Sequence, residues 1–246
     1  MLRDARIELG WQLRQALPWS PRPRVGVVDV DAVREASPDV AAFDALAARV
    51  DVGAFAKAPD NDAAAEAVYA AFVLDHVLRG VRPRGRCLDV GAKNGALLPG
   101  LCAVHPGPWT LVELDVHRRY ADLTTRGAHA RALAARFDGC RVHAGDVTSV
   151  VGRFGLVTWF LPFVVPSPHL AWGLPRRFFR PKETLAHVLS LVDDGGALVI
   201  VNQGAKEADA QRALLAGFDV CVSDVGVLPS TLSPYTKERH AFVVHR

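Results

Sequence analysis

Cysteine is sparse and never clustered in this chain. Cys87, Cys102, Cys140 and Cys221 stand far apart and no C-x-x-C occurs, which removes the usual zinc spacing and argues against a disulfide framework, so no metal site is expected. Cys87 and Cys221 lie in apolar, strand-like runs, where cysteine acts as a small hydrophobe. Long apolar runs are also missing. None approaches the about 20 residues that a bilayer crossing requires. The N-terminus carries Asp4 and Glu8 where a secretory leader would be apolar. A cytoplasmic protein without a membrane span is the expectation. Charge of one sign is lacking as well, with 29 basic against 26 acidic residues. Nucleic-acid binders usually concentrate basic residues on one face, and the two clusters here, Arg82–Arg86 and Arg176–Lys182, read as solvated loop charge. Internal repeats and Gly/Ser-rich linkers are absent too.

What remains is a chain of 246 residues, half of them hydrophobic. That is enough for one full α/β domain with an N-terminal helical extension. Leu2–Leu17 mixes apolar residues with Arg and Glu in the manner of a short amphipathic helix, stopped by Pro18. Val25–Val28 is a brief β-like run. The Ala-rich segments Asp31–Val52, interrupted at Pro38, and Asp62–Leu78 have helical periodicity, with Asn61 or Asp62 as the cap of the second.

From Arg86 onward short apolar runs alternate with longer mixed segments. CLDV, TLVEL, RVHAGD, GLVTWFL and GALVIVNQ are separated by helical stretches, which predicts a doubly wound, mostly parallel sheet with right-handed crossovers. Only a short polar loop lies between Asp219–Leu228 and His240–His245, so the sheet should end in an antiparallel hairpin.

In such sheets ligands bind beyond the carboxyl ends of the strands, at the topological switch point. The first strand, Cys87–Val90, runs into Gly91-Ala92-Lys93-Asn94-Gly95. Glycine at both ends of that turn permits a sharp bend and a close backbone approach, and Asp89 can accept hydrogen bonds there. An ordinary tight turn would look the same. The next two strands add to it, because Glu113 ends the second and Gly145-Asp146 end the third. A carboxylate at the second strand end can hold two ribose hydroxyls, and an acceptor at the third can bind an exocyclic amine. Asp146 is the one most readily explained as a helix cap.

In these residues the chain resembles the class I S-adenosylmethionine-dependent methyltransferases. Their glycine-rich first motif corresponds to Asp89–Gly95, their ribose-binding acid to Glu113 and their adenine-contacting acid to Asp146. Their strand 4 falls on Gly155–Leu161, and the turn before strand 5 on Asp194-Gly195-Gly196. The resemblance spans about residues 76–246 and leaves 1–75 as a helical extension or cover. It implies a Rossmann-like, seven-stranded sheet and S-adenosylmethionine as cofactor. The cofactor would be held by Asp89, Gly91, Ala92, Lys93, Asn94, Gly95, Glu113 and Asp146, with Leu114 and Val147 beside the two acids. Lys93 departs from the pattern, because the family usually keeps glycine or a small residue there. Its ammonium can face solvent, meet the ligand's carboxylate, or oppose a sulfonium. Lys57 and Asp60–Asp62 precede the core, and related enzymes often fold such segments over the cofactor.

Acceptor chemistry in this family usually follows strand 4. The Asn/Asp-Pro-Pro-aromatic signature of many amino-group methylating enzymes is not found there. Instead Trp159–Phe179 carries six of the chain's nineteen aromatics, either as an apolar wall for an acceptor or partner or as a proline-stiffened loop packed on the sheet edge. Phe160, Pro162, Phe163 and His169 are candidate acceptor contacts, and His169 is a candidate base, although a loop histidine more often lies on the surface. Asn202, beside Gln203 at the end of strand 5, can orient an acceptor or simply close the strand. A small-molecule acceptor is favoured over nucleic acid. Two other readings stay open: a non-catalytic cofactor-binding or scaffold protein, and a nicotinamide-dependent dehydrogenase. The dehydrogenase reading lacks its G-x-G-x-x-G fingerprint.

Overall fold

The computed structural model describes residues 2–79 and 84–246. Arg82, in the first basic cluster, lies outside the described residues. The chain opens with α1 (Leu2–Ala16), α2 (Val30–Glu35), α3 (Val40–Ala47) and α4 (Asn61–Val77). Strands and helices then alternate through β1 (Cys87–Val90), α5 (Leu98–Val104), β2 (Trp109–Glu113), α6 (Arg126–Ala134) and β3 (Arg141–Ala144), but only a single 3-10 turn (Val147–Ser149), not the expected helical stretch, separates β3 from β4 (Phe154–Phe160). The short α7 (Pro166–Ala171) and α8 (Pro181–Leu191) lead into β5 (Val192–Gln203), α9 (Gly204–Leu215), β6 (Cys221–Val227) and β7 (Arg239–His245).

The seven strands form one sheet in the order β3-β2-β1-β4-β5-β7-β6. The pairs among the first five are parallel, and β7 is antiparallel to both β5 and β6. This is the α/β sheet with a C-terminal hairpin expected above. After β3 the chain returns to place β4 beside β1, so the switch point lies between these two strands. Val90 is in register with Val112 on one side and Trp159 on the other, which brings three carboxyl ends to one rim.

The central strands are apolar on both sides because both faces are covered. Cys87, Leu111, Leu156 and Val199 pack with α4, α5 and α6, while Leu88, Val90, Val157 and Ile200 pack with α8 and α9. α4 shares the first of these cores, and it approaches α5 very closely. A Cβ placed on Gly100 would lie 1.9 Å from the carbonyl oxygen of Ala67, so only glycine lets the two helices meet here.

Four local expectations need correction. Val25–Val28 forms no strand: prolines at 21 and 23 precede it, and the short segment 25–28 is tied down by Gly26 N to Pro59 O and Val28 N to Ala56 O rather than by a ladder. The cap of α4 is Asp60, whose side chain accepts from Ala63 N at 2.8 Å, and Asn61 is the first helical residue. β5 runs through Asp194-Gly195-Gly196 rather than starting after it, because the C-terminal residue extends the pairing: Gly195 N donates to Arg246 O at 2.8 Å. In α1 the apolar pattern is present but Leu2, Leu9 and Leu13 face solvent, and only Trp11 is buried.

The α4–α5 contact yields a test. Gly100→Ala must force the helices apart, and urea denaturation should show a loss of about 2–3 kcal/mol. A variant as stable as the wild type would contradict the packing described.

Candidate functional site

The turn after β1 is built from two backbone conformations that L-residues avoid. Gly91 has φ +74° and Gly95 φ +82°, and between them Lys93 sits at φ +53°. Gly91 N and Ala92 N both donate to Val112 O at 2.9 Å, which folds the turn back on β2. Lys93 thus keeps the left-handed backbone that glycine would adopt freely. Its N–H is turned towards Glu113, donating to Oε2 at 2.8 Å. Asp115 N donates to Oε1 at 2.8 Å, and the Arg126 guanidinium at the start of α6 stands 3.4 Å from the same oxygen. Burial pushes the Glu113 carboxyl up from its ordinary value, while Arg126 and the two N–H donors pull against it.

These strand ends line a cavity of about 250 Å³. Gly91, Lys93, Glu113, Leu114, Asp146 and Val147 form one side. Phe160, Pro162, Phe163, His169 and Trp172 form the other. Space over the strand end is open, since a Cβ on Gly91 would meet no atom within 4 Å. Asp146 lines the cavity and also caps: Oδ1 accepts from Thr148 N at 2.9 Å, and Oδ2 pairs with Arg180 at 3.0 Å. A second, smaller pocket of about 30 Å³ adjoins the turn, with a largely apolar wall that a few charged side chains interrupt. Asp89, Ala92, Lys93 and Asn94 line it with Glu66 and Arg239. Gly95 lines neither space. Its Cβ position faces Leu111 at 3.3 Å and the Ala130 backbone at 3.4 Å, so it serves close packing of the turn on β2 and α6.

The acceptor candidates divide. Asn202 is fully buried, and neither its amide nitrogen nor its oxygen has a partner. It does not line the cavity, whereas Gln203, one residue on, does. Successive strand residues face opposite ways, so that single step decides access. His169 is buried rather than superficial, 2% exposed, with its ring against Phe163 and Phe179. Its Nε2 lies 2.9 Å from the carbonyl oxygen of Pro175. A carbonyl only accepts, so Nε2 carries the proton and Nδ1 is left as the acceptor. Burial lowers its pKa, favouring the neutral ring. Lys57 lies away from the cavity, over the Phe137 ring.

The aromatic run after β4 also supplies a roof to the cavity. Trp172 sits with the Arg126 guanidinium 4.8 Å and the Lys93 ammonium 5.3 Å from its ring centre. Burial lowers the Lys93 pKa, and Glu66 opposes that shift. α1 lies along the roof. Arg14 makes two bonds to the buried carboxylate of Asp115, at 3.2 and 3.1 Å, and a third to Gly173 O. Trp11 packs on Phe178 at 4.9 Å, Asp4 pairs with Arg176 at 2.9 Å, and Glu8 pairs with Arg177. The basic cluster at 176–180 is therefore exposed but paired. Trp172 belongs to the aromatic run after strand 4, whereas Arg126 and Arg14 carry no sequence signal, because a paired, partly or fully buried arginine has the same letter as a solvated one.

Neither a family profile nor a curated protein matches the sequence. Solved structures do. The chain superposes on an amino pentose methyltransferase, CalS10 of Micromonospora echinaspora, with TM-score 0.50 and 18% identity, over 74% of this chain and 91% of that one. An S-adenosylmethionine-dependent methyltransferase of Clostridium acetobutylicum matches with TM-score 0.50 and 11% identity, over 72% and 90%. TrmN of Thermus thermophilus matches with TM-score 0.48 and 20% identity, over 73% of this chain and only 48% of the other. The chain has the class I S-adenosylmethionine-dependent methyltransferase fold. Among the described residues no helix is long and apolar enough to cross a membrane.

Asp89 supplies a pH test. It is 2% exposed, accepts from Thr158 Oγ1 at 2.8 Å, and burial pushes its carboxyl up to about 7 against the pull of Thr158 and Lys93. The unfolded chain ionises it near 3.8. Its contribution is therefore full below that value and is lost as pH rises through about 7. Denaturation between about pH 4 and pH 8 should show the wild type losing up to about 4 kcal/mol relative to Asp89→Asn. Parallel pH profiles would show that the folded carboxyl titrates normally.

Proposed function

We propose that the protein is an S-adenosylmethionine-dependent methyltransferase whose acceptor is a small, largely apolar molecule. The observation that carries this reading is Glu113, held at the cavity rim by two backbone N–H groups beside the open space over Gly91. The donor set suits the cofactor. Glu113 would accept from the ribose, with Arg126 giving way, because a carboxylate has about four acceptor sites and the two N–H groups use two. Asp146 keeps acceptor capacity beside the space an adenine would take. The smaller pocket offers Lys93 and Arg239 to a carboxylate, and Glu66 and Asp89 to an ammonium, on an otherwise largely apolar wall. S-adenosylmethionine supplies an electrophilic methyl group. The chain's own contribution is to orient the acceptor against Phe160, Pro162 and Phe163, and to exclude water under Trp172. Transfer of this kind depends mainly on alignment, so a dedicated base is not required.

A specific observation favours a second reading, that of a non-catalytic protein of the same fold. Glu113 is already paired with Arg126, and the Lys93 ammonium stands where a sulfonium would have to come near. Titration calorimetry with S-adenosylhomocysteine separates the two, with NAD as the control ligand. Binding of S-adenosylhomocysteine that weakens roughly 10- to 100-fold in Glu113→Ala is expected. No binding of S-adenosylhomocysteine or S-adenosylmethionine by the wild type would establish the second reading, and S-adenosylmethionine binding gained in Lys93→Gly would trace it to repulsion between the ammonium and the sulfonium. A response to NAD alone would overturn both.

A further inference from the structure

The outward side of α1 is explained by neither the fold nor the cavity. At 100° per residue, Leu2, Leu9 and Leu13 fall within about 40° of one another, and Trp11 stands about 180° round from Leu2. The exposures follow that division: Trp11 is 7% exposed, against 90%, 58% and 55% for the three leucines. Leu17 and Trp19 continue the apolar strip beyond the helix, at 60% and 68%. A surface helix normally turns such a stripe inward. Here the inward side is fixed by charge instead, through Asp4 to Arg176, Glu8 to Arg177 and Arg14 to Asp115. Those pairs set the rotation of the helix and hold the stripe in water.

The same pairs sort the charges. Both acids of α1 are spent on the inward side, while Arg3 and Arg6 are exposed, as are Arg22 and Arg24 just beyond Trp19. The outer side of this N-terminal stretch is thus apolar and positive. We propose that α1 docks on an anionic phospholipid bilayer surface, lying in the interface with its leucines at the acyl boundary and its arginines at the phosphates.

Charge selects this occupant over a second copy of the chain. Arg6 lies about 40° from Leu2 on the helix, on the edge of the stripe. Pairing two stripes would press each Arg6 against leucines, with no acid of either α1 free to meet it. At a lipid surface the same side chain extends its guanidinium to the phosphates while its stem stays in apolar contact. Trp19 has the amphipathic ring favoured at that depth. The helix is about 22 Å long and lies on the bilayer rather than through it. This inference is independent of the cofactor reading.

Sedimentation of the 246-residue chain with vesicles tests it, using phosphatidylcholine alone and phosphatidylcholine mixed with phosphatidylserine. Binding to the mixed vesicles is expected, weakened by added salt and by roughly tenfold or more in Arg3→Glu with Arg6→Glu. Leu9→Glu with Leu13→Glu should abolish it, with little change in melting temperature because both side chains are exposed. Equal recovery with and without phosphatidylserine would overturn the proposal, and so would binding that survives the leucine changes. A dimer in light scattering that the leucine changes split, with no vesicle binding, would assign the stripe to a second copy instead.

Discussion

The carboxylate of Glu113 holds three separate stretches of chain in register. It ends β2, takes one N–H from the turn after β1 and another from Asp115, and faces Arg126 at the start of α6. Without it two backbone donors in a nearly dry setting would lose their acceptor, at a cost of about 1–3 kcal/mol each. The bond also accounts for Lys93. A lysine at φ +53° is strained by roughly 1 kcal/mol, and a charge-assisted bond from its N–H offsets that strain. The turn keeps its shape through this carboxylate, with the middle glycine gone.

A single further step links the site to the N-terminus. Asp115, whose N–H goes to Glu113, has its own buried carboxylate gripped by Arg14 of α1. Exposed ion pairs contribute little singly, so the pairs of Asp4 and Glu8 orient α1 more than they stabilise it. The Arg14–Asp115 pair is different, because the Asp115 carboxylate is buried and Arg14 is its nearest cation, with Arg118 farther off at 3.9 Å. α1, the roof around Trp172 and the rim at Glu113 are thereby continuous. Anything that lifts α1 acts on the roof first.

Legibility in the sequence follows the range of the forces involved. The strands were readable because both faces of a covered parallel sheet must be apolar, and the hairpin because no helix-length segment separates its strands. The turn was readable from Gly91 and Gly95, although the two glycines do different work: one leaves space, the other permits packing against Ala130. Less was readable where one residue decides. Asp60, Asn61 and Asp62 are all good caps, and only the chain's entry direction selects the first. Asn202 and Gln203 differ by a strand step that no composition reveals. The rest was hidden by distance in sequence. The inward face of α1 is chosen by Arg176 and Arg177, far along the chain, so periodicity marked the stripe without telling which way it turned. His169 is buried because Pro175 supplies a carbonyl for its ring, an arrangement that a lone letter does not announce.

The left-handed backbone at Lys93 has one more consequence. Because Glu113 accepts from the Lys93 N–H and the flanking glycines shape the turn, the backbone conformation does not depend on the side chain at position 93, whose ammonium reaches the Trp172 ring. Glycine or asparagine would fit the same backbone at less strain, and neither would bring a charge. The position is therefore an adjustable electrostatic setting on an otherwise rigid rim, open to change in a single substitution without disturbing the fold. A lineage could pass between strong and weak attachment of a positively charged ligand along that one coordinate, leaving the sheet and the N-terminal helix as they are and the Arg126 contact still in place under Trp172.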